Sequence, residues 1–157
     1  MLIFRFLCAI LMAWAINVAL ARPEAAALAE EAQEFLFLGP LAGGFVGFFN
    51  LAKRQGWGMI VAVANGVWAG ILTLTVSVAL YVMVIEVLGN YRAIAEYDDF
   101  ARLFSGAAEP VLEALFNVPL LSVVIVSTAV VGVLTEILHW CLVRLLRGRM
   151  RAENRSQ

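Results

Sequence analysis

Residues 59–88 read MIVAVANGVWAGILTLTVSVALYVMVIEVL, from Met59 to Leu88, with Glu86 as the one charge. A helix needs about 20 apolar residues to cross a hydrocarbon core of about 30 Å. This stretch exceeds that requirement. As one helix it would be about 45 Å long, so it must tilt or protrude. The end carrying Tyr81 and Glu86 is expected to protrude.

Working outward, three more segments of the same kind come into view. Residues 3–21 are predominantly apolar, with Arg5 as their one charge. Residues 35–52 are apolar and rich in glycine. Residues 118–143 carry Glu136 and His139 in their last third. The chain therefore reads as a single all-α membrane domain over 1–157. It has about four spans, 3–21, 35–52, 59–88 and 118–143, and a basic tail from 144 to 157. Composition agrees: 63% of the 157 residues are hydrophobic and the mean hydropathy is +0.91. A soluble domain is nearer half apolar.

The charges alternate along the chain. Arg5, Lys53, Arg54, Arg144, Arg147, Arg149, Arg151 and Arg155 fall on one side if all four segments span. The other side receives Arg22, Arg92 and Arg102. It also receives Glu24, Glu30, Glu31, Glu34, Glu96, Asp98, Asp99, Glu109 and Glu113. Basic residues stay cytoplasmic, so a bacterial inner-membrane protein with both termini cytoplasmic is expected. One span more or fewer would break the alternation. The first segment has a rival reading. Arg5, an apolar run and Ala19-Leu20-Ala21 also fit a cleavable signal peptide. Either way Arg22 emerges on the outer face.

Two outer connections follow. Arg22–Glu34 is rich in Ala and Glu, strong helix formers, and is expected to be helical. Gly89–Asn117 reads as two short helices. The first repeats Ile94, Tyr97, Ala101 and Phe104 at helical spacing, and the second follows Pro110 with Val111, Leu112, Leu115 and Phe116. An amphipathic helix lying on the outer leaflet fits this pattern.

Small residues recur every fourth position at Gly39, Gly43 and Gly47, and again at Ala62, Gly66 and Gly70. Such stripes let another backbone approach closely. Packing within the chain is the first reading, and a homo-oligomer or a membrane-protein partner the second. Pro40 lacks a donor and should kink or start the second helix.

The polar groups within the spans are Asn17, Asn50, Asn65, Glu86, Glu136 and His139. Ionisable groups there are functional candidates by default. Glu136 shares a face with Thr128 and Gly132. It lies about 27 Å along its helix, near the cytoplasmic boundary. The bland reading pairs it with Arg54 or an arginine of the tail. The sharper one makes it a proton relay or a substrate contact. Glu136 and His139 have the spacing of helical di-iron ligands, but that site needs a second such pair, and His139 is the sole histidine. Cys8 and Cys141, the two cysteines, form no CxxC motif and fall near the cytoplasmic side, where thiols stay reduced. Both read as small buried hydrophobes. No phosphate loop, GxSxG elbow or HExxH is present. With a net charge of −1, no nucleic-acid partner is implied. The lipid bilayer is the expected partner, with no cofactor.

A set of residues carries a resemblance. Asn50, Gly56-Trp57-Gly58, Ala64-Asn65-Gly66, Tyr97-Asp98 and the run Gly132, Glu136, Trp140 make residues 45 to 143 similar to the TrgA family. These are small bacterial membrane proteins associated with tellurite resistance. The glutamate-rich loop after the first segment stands outside the pattern. The resemblance implies a resistance phenotype and no catalytic residues. Three readings stand beside one another. One is a non-enzymatic or accessory membrane protein supporting oxyanion tolerance. The second is an oligomeric small transporter or channel subunit built around Asn65 and Glu136. The third is a thiol enzyme using Cys141.

Overall fold

The computed structural model describes residues 2–26, 28, 32–87, 106, 108–109, 111–113 and 115–153, with the backbone alone at 24, 85–87 and 146–153. Four helices are long and apolar enough to cross a membrane. We number them α1 (Leu2–Leu20), α2 (Phe35–Phe49), α3 (Met59–Tyr81) and α4 (Val118–Glu153). The described residues include no strand.

The helices close into a ring. α1 packs on α2, α2 on α3, α3 on α4, and α4 returns to α1. Lipid tails are as apolar as leucine, so burial of apolar surface does not by itself drive such helices together. Close van der Waals contact does. The small-residue stripes supply it. A Cβ on Gly47 would stand 2.6 Å from the Cys8 carbonyl oxygen of α1, and one on Gly43 would stand 3.3 Å from that of Met12. A Cβ on Gly39 would meet Leu20 at 2.7 Å. Between α3 and α4 the backbones approach more closely still. A Cβ on Gly66 would overlap the Thr128 carbonyl oxygen, and one on Gly132 would overlap that of Ala62. Gly70 faces the Thr128 side chain. Both stripes are thus occupied by the chain's own helices. The outward faces carry Ile10, Trp14, Phe37, Ile60, Ile71 and Val126, all exposed, as a lipid-facing surface requires.

Polar side chains inside the ring satisfy themselves locally. The hydroxyls of Thr73, Ser77, Thr128 and Thr135 each donate to the carbonyl four residues back on their own helix. In a medium with no water to share, this is the cheapest way to bury a hydroxyl.

Several boundaries differ from the expectation. The basic stretch after the fourth span is helical: α4 continues to Glu153, while its apolar part ends at Leu145. The third segment is α-helical only to Tyr81 and continues as a π-helical turn, Val82–Val87. Tyr81 is 9% exposed, and its ring lies 6.3 Å from that of Phe35. The outer connections cover it. Ala25, Leu28 and Ala32 from the first, and Ala108, Val111 and Leu115 from the second, join Tyr81, Val82 and Leu120 in one buried cluster. The first connection is set off from α1 by a short 3-10 turn, Pro23–Ala25, and Ala26 and Leu28 beyond it are helical, as expected. In the second, Leu112 and Phe116 are exposed while Val111 and Leu115 turn inward. That piece seals the end of the bundle. The stretch with Ile94, Tyr97, Ala101 and Phe104 lies outside the described residues, as does the side chain of Glu86. α2 begins five residues before Pro40 and runs through it.

Candidate functional site

The opposite end of the bundle is organised around the connection between α2 and α3. Its sequence is Asn50-Leu51-Ala52-Lys53-Arg54-Gln55-Gly56-Trp57-Gly58. Leu51–Lys53 form a 3-10 turn, anchored by the fully buried Leu51. Gln55 is buried, and its Nε2 donates to the Leu51 carbonyl at 3.2 Å. The chain then reverses through two glycines with positive φ, +98° at Gly56 and +99° at Gly58. Gly58 has ψ 167° and is the residue that caps α3. That combination is essentially restricted to glycine.

Each such reversal leaves backbone N–H groups that need acceptors. Glycine at the cap has no side chain to offer one. The acceptor comes from α4. Glu136 takes the Gly56 N–H at 2.7 Å on Oε2 and the Gly58 N–H at 3.0 Å on Oε1. Oε1 also accepts the indole N–H of Trp140, one turn further along α4, at 3.0 Å. The carboxylate is 2% exposed. Hydrogen bonds to an ionised acceptor are about twice as strong as neutral ones. Its charge also sits at the amino end of α3, where the helix dipole favours an anion.

Neither Arg54 nor Arg144 bridges Glu136; loop amides and an indole satisfy it, and the side chains of Arg147, Arg149, Arg151 and Arg155 lie outside the described residues. Asn65 acts on the same loop from α3. Its Nδ2 donates to the Arg54 carbonyl at 2.8 Å. His139 completes the end of the bundle. Its ring stands edge-to-face with Phe4 of α1, centroids 5.5 Å apart. Its Nε2 faces Gly56, 3.2 Å from where a Cβ there would lie. Asn65, Glu136 and His139, singled out separately in the sequence, therefore meet at one loop. The oxygens Asn50 Oδ1 and Gln55 Oε1 are buried there without a hydrogen-bond donor from the described residues.

The glycines at 56 and 58 are the functional partners that residue chemistry did not pick out. The signal available was Gly-x-Gly immediately before a long apolar helix: two unsatisfied amides in search of an acceptor. The cysteines separate. Cys8 is fully buried against α2, whereas Cys141 is exposed, contrary to the expectation that both are buried. Among the described residues no three His, Cys, Asp or Glu side chains gather as a metal-binding group would.

No protein-family model matches the chain, no curated protein is significantly similar to it, and no solved structure matches its fold.

Proposed function

We propose that this chain is a non-enzymatic, accessory protein of the bacterial inner membrane, with both termini cytoplasmic, that supports tolerance to tellurite or a related oxyanion. The observation that carries the reading is where the residues of the TrgA resemblance fall. Gly56, Gly58, Asn65, Glu136 and Trp140 are scattered over 85 positions of sequence, yet they form one hydrogen-bonded clamp. Gly66 and Gly132, from the same set, are the closest approach of α3 to α4. Trp57 and Ala64 of that set are exposed, and Tyr97 and Asp98 lie outside the described residues, so the clamp and the α3–α4 crossing are what support the reading. In this reading Glu136 is a positioning residue: three donors occupy its two oxygens, so it holds the loop bearing Lys53 and Arg54 at the membrane surface.

The transport reading needed the small-residue stripes for oligomerisation, and both stripes are filled from within the chain. The thiol reading keeps only an exposed Cys141.

The test is growth of a deletion strain across a tellurite series, complemented with wild type or with Glu136→Gln. Sensitivity rescued by wild type and only weakly by the variant is expected. Growth of the deletion strain equal to its parent would sink the proposal. Reporter fusions after Arg54 and after Glu153 should both report the cytoplasm.

A further inference from the structure

Beside the clamp lies a cavity of about 370 Å³, lined by Gly56, His139, Trp140, Val143 and Arg144. The last four occupy one face of α4 at i, i+4 spacing. Arg144 is exposed and is the penultimate residue of the apolar stretch Val118–Leu145, which puts its guanidinium at headgroup depth. Among the described residues no carboxylate pairs with it, and neither ring nitrogen of His139 has a hydrogen-bond partner. The carboxylate of Glu136 on the same helix is already held by three donors. Trp140 directs its N–H inward to Glu136 while its ring stays 55% exposed, so with Val143 it supplies an apolar wall.

A forked cation, a second N–H donor and an apolar wall at the membrane surface match one chemistry. We infer that this cavity binds a phosphate oxyanion, presented either by an anionic phospholipid headgroup or as free phosphate. The planar guanidinium of Arg144 takes two phosphate oxygens. His139 donates to a third, and the ring of Trp140 lies along the glycerol when the phosphate belongs to a lipid. The inference is independent of the resistance reading, since it rests on the cavity alone.

The experiment titrates the purified protein in a zwitterionic detergent with phosphatidylglycerol, with diacylglycerol of the same chains, and with inorganic phosphate at constant ionic strength. Wild type is expected to prefer phosphatidylglycerol over diacylglycerol. Arg144→Ala should weaken binding about tenfold, the range for a lost charged hydrogen bond. Arg144→Lys should restore part of the loss, and Lys53→Ala, a change of equal charge at the same end, should bind as wild type does. Competition by inorganic phosphate would assign a soluble oxyanion, and its failure to compete a lipid headgroup; either supports the site. Arg144 is exposed, so its variants should melt with the wild type in lipid-free detergent. Equal binding by Arg144→Ala and wild type, or equal binding of diacylglycerol and phosphatidylglycerol, would overturn the inference.

Discussion

The Gly56 amide donates to the Glu136 carboxylate at 2.7 Å across 80 residues of sequence, and this contact ties the α2–α3 connection to α4. The second amide, from Gly58, makes the grip two-handed. Removing the charge while keeping the shape should therefore loosen the loop before it unfolds the bundle.

Glu136→Gln replaces one carboxylate oxygen by an NH2 group, which faces N–H donors. At least one loop amide loses its acceptor in a buried site. The expected loss is about 1–3 kcal/mol, read as a lower melting temperature in detergent. Protease cleavage after Lys53 or Arg54 should rise in parallel. Unchanged melting and unchanged cleavage would show that the clamp carries no load.

Gly58→Ala tests backbone conformation apart from space. Nothing lies within 4 Å of a Cβ there, yet φ is +99°. The strain should lower stability by about 1–3 kcal/mol, with no rescue from any neighbouring truncation. A thermal denaturation curve indistinguishable from wild type would mean the loop adopts another conformation.

Gly132→Ala tests the α3–α4 crossing. Its methyl would be driven into the Ala62 carbonyl, a backbone atom with no freedom to move aside. Overpacking of this kind costs about 1–3 kcal/mol. Gly44→Ala is the control, because the nearest atoms stand at 3.8 Å, an ordinary contact. Equal melting of the two variants would contradict the packing described.

The two thiols should differ in reactivity. Cys8 is fully buried and Cys141 exposed. A small membrane-permeant maleimide should modify one thiol per chain in the folded protein and both after denaturation. Mass spectrometry should place the first adduct on Cys141. Labelling of Cys8 in the native state would mean that α1 and α2 separate.

Much of this architecture was legible before any coordinates, and the reason is solvent. A chain crossing a bilayer must satisfy its backbone within each span, so four apolar runs specify four helices, and the alternation of Lys and Arg predicts the topology linking them. The stripe Gly39, Gly43, Gly47 and the stripe Ala62, Gly66, Gly70 likewise announced close helix packing through their four-residue spacing. Which helix fills which stripe is decided only by the fold, because α1 and α4 both carry small residues and spacing names no partner. Tyr81 illustrates the same limit at the other end: its sequence position names no packing partner, and only the fold brings Ala25, Leu28, Val111 and Leu115 into one buried cluster with it. Glu136 is the clearest division. Its presence in an apolar helix marked it as special from sequence alone. Its partners were invisible there, because backbone amides are common to every residue and only positive φ at Gly56 and Gly58 turns two of them toward α4. Sequence determines which groups need a partner; the tertiary structure decides which partner comes within hydrogen-bonding distance.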